Sequence, residues 1–220
     1  MMAMPDDLRE RLAADFRPVR ALRSPWIRAL TVLPIAAMTV AAAPVFFNVR
    51  SDYARLGWSG VWGVSLLQCI VGLVVVAAAL RESVPGRGWS GAAIAAWMAA
   101  PIITVLAVTF LSWDLSQVLL RRELWRIGGL CFSGSAATAL PVVALASVLA
   151  ARAYPTRPAI AGALIGVGAG LFADAGWRTF CHFTEPAHVL SAHLAAVVMS
   201  GLIGSLVAVR LCGVRPGTHA

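Results

Sequence analysis

The chain has 220 residues, of which 60% are hydrophobic and 13% are charged, and its mean hydropathy is +0.80. These values exclude a soluble globular domain, and they exclude a disordered chain because disorder requires low hydrophobicity. The formal net charge of +8 comes from arginine alone, since the sequence contains no lysine, and in a chain this apolar it serves first as a signal of membrane topology.

Residues 1–26 form a polar segment that precedes the first hydrophobic stretch. Apolar side chains recur in it at helical spacing, which predicts a short amphipathic helix. The apolar stripe consists of Leu8, Leu12, Phe16 and Val19. Pro18 is expected to end or kink this helix because its ring cannot continue the hydrogen-bond pattern. Such a helix can lie on anionic lipid or fill a hydrophobic groove of a protein partner, and both uses stay open at this point.

Six stretches are long and apolar enough to cross a bilayer, which takes about 20 residues each. They cover residues 27–49, 59–80, 91–112, 127–151, 159–177 and 189–211. This pattern predicts an all-α membrane protein, a bundle of six transmembrane helices with a short amphipathic helix before it. We divide the chain into an N-terminal segment (1–26), a transmembrane domain (27–211) and a tail (212–220). The fifth stretch is the shortest, and it carries Asp174 near one end.

The distribution of arginine predicts the orientation of the bundle. Twelve of the 18 basic residues belong to the side that carries both termini, so the positive-inside rule places both termini in the cytoplasm. These residues are Arg9, Arg11, Arg17, Arg20, Arg23, Arg28, Arg81, Arg87, Arg152, Arg157, Arg210 and Arg215.

Ridges of small residues mark the fifth and sixth spans, and such ridges let helices approach closely. They are Gly162, Gly166 and Gly170, and Ser200, Gly201, Gly204 and Ser205. Packing of these helices within one chain is favoured over a dimer interface.

Two of the four cysteines are predicted to meet at the outer, oxidising side of the membrane. Cys181 lies in the last outer loop, and Cys131 lies about one helical turn inside the outer end of the fourth span. One interpretation is a thiol pair that senses oxidants or thiol-binding metals. A fixed structural disulfide, or two unrelated thiols, is the alternative. Cys69 falls in the middle of a span, and Cys212 falls at the inner end of the sixth span.

Three histidines surround Cys181 in the sequence, namely His182, His188 and His193. Their imidazoles can complete a metal site with the two outer cysteines or lower the pKa of a thiol. The spacing is not that of a zinc finger, and the chain has no CxxC motif. His193 falls just inside a span, where an ionisable group is costly, so it is a functional candidate as well as a candidate for a satisfied interfacial histidine.

Other classes of function are less consistent with the residues. A small-molecule or metal transporter is the main alternative, but it requires polar groups near the middle of the membrane and paired broken helices. A quinone-coupled thiol oxidoreductase usually needs a CxxC motif. The sequence shows no nucleophile–base pair, phosphate loop or carboxylate pair, so we predict no enzyme, no cofactor except a transient soft metal ion acting as the signal, and no direct binding of nucleic acid.

Three sets of residues form a co-linear pattern along the chain. The first set is the N-terminal pattern of Asp6, Leu8, Leu12, Pro18 and Val19. The second is a cysteine that opens the fourth span with a proline ten residues later, Cys131 and Pro141. The third is C-x4-P-x6-H, here Cys181, Pro186 and His193. With the six-span layout, these sets resemble the NrsF-type anti-sigma factors, membrane-bound negative regulators of an extracytoplasmic-function sigma factor, and the resemblance covers essentially the whole chain.

The resemblance implies that the N-terminal segment holds a sigma factor at the bacterial inner membrane and that the outer cysteines receive a stress signal that releases it. Carried over, Cys131 and Cys181 are the sensing thiols. The sigma-factor contacts are then Leu8, Leu12, Phe16, Pro18 and Val19. One departure concerns Ala192, because family members often have an aromatic residue just before the last histidine.

Overall fold

The computed structural model describes residues 10, 14, 21–111 and 121–213, without the side chains of residues 55, 56, 111 and 121–125. The predicted sigma-factor contacts Leu8, Leu12, Phe16, Pro18 and Val19 lie outside the described residues. Within the described part of the chain the secondary structure is helical, without strands, which confirms the all-α class. Six helices are long and apolar enough to cross a membrane, as predicted.

The six spanning helices alternate in direction. They are α1 (Pro25–Phe47), α2 (Ser59–Glu82), α3 (Gly91–Leu111), α4 (Arg121–Ala151), α5 (Pro158–Phe180) and α6 (Pro186–Gly213). A short helix, Tyr53–Trp58, leads into α2. We call the end of the bundle that holds Cys131 and Cys181 the cysteine end, and the end that holds Arg28, Glu82 and Arg157 the amino-terminal end.

Local sequence explains how α1 begins and where it breaks. The Ser24 hydroxyl accepts a hydrogen bond from the Ile27 amide at 3.3 Å, and Pro25 follows in the first helical turn, where its missing N–H leaves no bond unmade. The helix is interrupted after Leu30 and resumes as Leu33–Phe47. Pro34 stands at this restart, where it cannot donate to the preceding turn.

Two helix boundaries differ from the predicted ones, and both differences matter for the site. Helix α5 continues to Phe180 instead of ending at residue 177, which places Arg178 inside the helix. Helix α6 begins at Pro186 instead of residue 189, and its second segment, Val189–Leu194, is a π-helix. The loop between α5 and α6 is therefore only five residues long, from Cys181 to Glu185.

Helix α5 lies at the centre of the bundle, although its sequence gave the shortest predicted span. Every residue from 164 to 179 is buried. On the side of α6, a side chain at Gly170 would come within 2.9 Å of the Val197 Cα, and one at Gly166 would collide with the Ser200 carbonyl. The two predicted ridges therefore pack against each other within the chain.

The lateral surface of the bundle, around the sides of the helices, is apolar, as contact with lipid requires. Phe46 is 78% exposed, and Met38 and Trp58 are exposed to a similar extent. In a soluble protein such side chains would be an aggregation hazard, whereas a bilayer solvates them. The structure thus supports a membrane protein, which positions the buried polar groups described next inside an apolar shell.

Candidate thiol and metal site

Four potential metal ligands converge at the cysteine end. Cys131 comes from α4, Cys181 from the loop after α5, and His188 and His193 from α6. One ligand atom of each residue lies within 4.8 Å of the other three. All four side chains are buried, with Cys131 and His188 at 0% exposure. We refer to these four residues as the thiol–imidazole site.

The π-helical start of α6 explains why two histidines five residues apart reach the same site. In an α-helix, with 3.6 residues per turn, residues three or four apart share a face and residues five apart diverge. A π-helix bonds residue i to residue i+5, which brings residues at that spacing over one another. The rings of His188 and His193 accordingly stand with their centroids 5.2 Å apart.

Cys181 is the most highly connected member of the site. Its Sγ lies 3.2 Å from His188 Nε2, and it also contacts the thiol of Cys131 and the ring of His193. The hydrogen bond with the Cys131 thiol, reinforced by those with the imidazoles, holds the pKa of Cys181 well below its usual value, although burial alone raises it. A thiolate is the form of cysteine that attacks oxidants and binds metals.

A buried arginine fixes the loop that carries Cys181. Arg50, in the connection between α1 and α2, donates to the Arg178 carbonyl at 3.5 Å and to the His182 carbonyl at 3.2 Å, one on each side of the cysteine. Its guanidinium also pairs with Asp52 at 2.6 Å. Burial raises the pKa of Asp52, but the hydrogen bonds and charge of Arg50 outweigh it and hold that pKa below its usual value.

A buried carboxylate anchors one of the two histidines. Asp174 Oδ1 lies 2.6 Å from His193 Nδ1, and Arg178 Nε donates to Asp174 Oδ2 at 2.9 Å. Gln68 Nε2 of α2 donates to the same carboxylate. Asp174 and Gln68 are both 0% exposed. The sequence alone assigned no role to Asp174. An acid inside an apolar span is itself the signal that could have found it.

The other cysteines and the other histidine that the structure describes lie outside the thiol–imidazole site. His182, predicted as a possible ligand, is outside the thiol–imidazole site, and its ring packs on Phe183 with centroids 4.0 Å apart. The backbone is extended at Cys181, so the next side chain points the other way. Cys69 packs against the core from α2, and Cys212 lies near the amino-terminal end of the bundle, in the last turn of α6.

The donor set fits a soft or borderline metal ion. Two sulfurs and two imidazole nitrogens are the ligands of tetrahedral zinc sites, and thiolates also select Cu(I). The Asp174–His193 contact has the form of the outer-shell carboxylate that usually orients a metal-binding histidine. His188 differs, because its Nδ1 is buried without a hydrogen-bond partner among the described residues. The same two thiols can instead form a disulfide.

Fold and site together define a class: a helical membrane protein with six spans and a buried cluster of thiols and imidazoles at one end. A family model described as negative regulator of sigma F, NrsF, matches residues 12–212, so the chain belongs to this family. It is accordingly a negative regulator of a sigma factor, with a sigma factor as its partner, and its family is a regulatory one. No curated protein and no solved structure matches the chain.

Proposed function

We propose that the protein is an inner-membrane anti-sigma factor that binds an extracytoplasmic-function sigma factor and releases it when Cys131 and Cys181 meet an oxidant or a soft metal ion. In this proposal both termini are cytoplasmic, and the cysteine end faces the periplasm. The observation that carries it is the thiol–imidazole site, in which two cysteines 50 positions apart in sequence come within 4.8 Å of each other.

Either signal would link the same two parts of the bundle. A two-electron oxidant takes two electrons from the thiols, two protons leave, and a sulfur–sulfur bond forms. A soft cation instead replaces the thiol protons and is bound by both sulfurs. In both cases α4, which carries Cys131, becomes tied to the loop between α5 and α6, which carries Cys181.

The free energy needed to release the sigma factor favours cysteine chemistry as the trigger. Moving a partner from about 99% bound to about 1% bound needs about 5.5 kcal/mol of differential affinity between two states of the protein. One hydrogen bond contributes only about 0.5–1.5 kcal/mol. A covalent or metal bond that forms in one state alone can supply several kcal/mol.

The N-terminal segment is the proposed binding site for the sigma factor, with Leu8, Leu12, Phe16, Pro18 and Val19 as its contacts. The structure supports a route to this segment. The N-terminal segment leads into α1, which begins at Pro25. One turn further along α1, Arg28 donates to the carbonyls of Leu80 in α2 and Leu149 in α4. A shift of α4 at the cysteine end therefore acts on the helix that follows the segment.

Co-purification from detergent-solubilised membranes tests both halves of the proposal. We would compare the wild type, Leu12→Asp/Phe16→Asp and Cys131→Ser/Cys181→Ser, each with and without a thiol oxidant or Cd²⁺. Cys69→Ser is the matched control, because Cys69 lies in α2 away from the site. We expect the wild type to bring down a sigma factor and to lose it on treatment, as Cys69→Ser also should.

The variants test separately the two parts of the proposal, binding of the sigma factor by the N-terminal segment and sensing by the two cysteines. Leu12→Asp/Phe16→Asp should lose the sigma factor under every condition, and the double serine variant should keep it after treatment. A double serine variant that still releases the sigma factor would sink the sensing half. A chain that brings down no sigma factor, but moves a metal ion into sealed vesicles, would favour the transporter alternative.

A further inference from the structure

We infer that Asp174 is the positioning residue of the thiol–imidazole site, because it holds His193 in the one orientation that presents a ring nitrogen to the two cysteines. The inference rests on the proposed function for its biological meaning, since a site that senses nothing needs no positioning. The contacts that support it are those of Asp174, of His193 and of the groups that hold them.

The chemistry of a carboxylate decides which nitrogen of His193 carries a hydrogen. Asp174 forms an ion pair with Arg178 at 2.9 Å, so it is ionised and can only accept hydrogen bonds. His193 Nδ1, 2.6 Å from Asp174, must therefore be a donor. The other ring nitrogen, Nε2, is then the atom of His193 that can contact the sulfurs of Cys131 and Cys181 in the same site.

Asp174 can act as an anchor because it is itself held from two helices. Arg178 holds it from the same helix, one turn further on, and Gln68 holds it from α2. Its side chain is fully buried. Burial of a charged pair costs free energy that apolar side chains of the same volume would not, which makes packing alone a poor reason for its presence.

The neighbouring histidine provides the contrast within the same site. His188 also meets Cys181 through Nε2, yet its Nδ1 has no partner in the described part of the chain. Only His193 thus has a fixed ring, while His188 is held by packing. The carboxylate distinguishes the two imidazoles, and it makes His193 the ligand whose orientation is set before any signal arrives.

Nitrogen-15 NMR of the full-length, histidine-labelled protein in detergent tests the orientation directly. The signals of His193 would be assigned with His193→Gln. We expect Nδ1 of His193 to be protonated in the wild type, to stay so in Asp174→Asn, whose amide oxygen still accepts, and to be only partly protonated in Asp174→Ala. Ser200→Ala is the control, because among the described residues this buried hydroxyl bonds to the Ala196 carbonyl of its own helix alone.

Titration with Co²⁺ measures the consequence for the site. Loss of an outer-shell partner typically weakens metal binding about 10- to 100-fold. We expect a loss of that size, with weaker tetrahedral ligand-field bands, in Asp174→Ala. We expect partial recovery in Asp174→Asn and no change in Ser200→Ala.

An unprotonated Nδ1 in the wild type would overturn the inference, as would Asp174→Ala with unchanged His193 signals. If Asp174→Ala fails to fold, Asp174→Asn and the wild-type signals still decide. Failure of the proposed function would look different: a sigma factor that Cd²⁺ or oxidant does not release, in a protein whose His193 is oriented as described.

Discussion

The two ends of the bundle both bury charged residues but use them differently. At the amino-terminal end, Arg28 donates to the last-turn carbonyls of Leu80 in α2 and Leu149 in α4. Such carbonyls lack a backbone N–H partner within their own helix. Leu80 also accepts from the hydroxyl of the capping residue Ser83 at 2.8 Å. Glu82 pairs there with Arg157 at 2.6 Å and accepts from the Trp89 amide at 2.6 Å. Each contact closes a helix end or a loop.

At the cysteine end the charges surround reactive groups. Asp174 contacts the ring of His193, which faces two thiols. Arg50 donates hydrogen bonds to backbone carbonyls on both sides of Cys181. Among the described residues, buried polar atoms without a hydrogen-bond partner include His188 Nδ1 and Arg178 Nη2 at this end and the Ser147 hydroxyl toward the other end, so they do not distinguish the two ends. From the contacts of the charged residues, we therefore expect the charges at the amino-terminal end to stabilise helix ends and loops, and those at the cysteine end to position the thiols and imidazoles. Four substitutions test this contrast.

The largest effect is expected from Asp174→Ala. It leaves the buried guanidinium of Arg178 unpaired, and breaking such a pair costs about 3–5 kcal/mol of stability. Thermal unfolding of the purified protein in detergent, followed by tryptophan fluorescence, would measure the loss. Ser200→Ala is the control, and a loss in Asp174→Ala no greater than in that control would contradict the structure.

Arg28→Ala should destabilise the amino-terminal end without altering the site. Two hydrogen bonds from a buried charged group disappear, and bonds to charged groups contribute about 1.5–3 kcal/mol each. We expect a loss of about 3 kcal/mol, the low end of the sum because both bonds come from one guanidinium, in the same unfolding measurement, with an unchanged rate of thiol labelling at Cys181. Exposed Arg23→Ala is the control. Altered labelling in Arg28→Ala would show that Arg28 also holds the site in its resting state, rather than only passing a shift of α4 on to α1.

Arg157→Ala should have a smaller effect than either. The Arg157 side chain is 40% exposed, so water screens its pair with Glu82, and Glu82 keeps the Trp89 amide as a donor. A fully exposed pair contributes about 1 kcal/mol or less. Glu82 itself is 1% exposed, so the loss should exceed that value, but it should stay below the loss in Asp174→Ala because water can enter where Arg157 stood. A destabilisation in the unfolding experiment as large as that of Asp174→Ala would remove the distinction between a screened and an enclosed ion pair.

The smallest expected effect is a gain. A side chain at Gly128 would begin 3.8 Å from His188 Nδ1, so Gly128→Ser can give this nitrogen a partner. Gly129→Ser is the matched control, because that position faces open space. Both should gain about 0.5 kcal/mol from helix propensity. Gly128→Ser should gain about 0.5–1 kcal/mol more and bind Co²⁺ more tightly. Equal unfolding temperatures would mean that His188 Nδ1 does not face Gly128.

The sequence was sufficient to predict the class of fold because hydrophobic length is a local property. All six predicted spans are helices long and apolar enough to cross a membrane, and the resemblance to the NrsF family is confirmed by the match over residues 12–212. The convergence of Cys131 and Cys181 was also predicted, because alternating spans bring the outer ends together. Their role as sensing thiols, and the N-terminal contacts, stay predictions.

Tertiary structure alone decided the composition and surroundings of the site. Whether His182, His188 or His193 joins the cysteines depends on an extended residue at Cys181 and on a π-helical segment, and neither has a reliable signature in one sequence. The partners Gln68 and Arg50 come from α2 and from the loop before it, more than 100 residues from the groups they hold. Hydropathy depends on neighbours along the chain, whereas such contacts depend on which helices pack together, so only the folded bundle shows them.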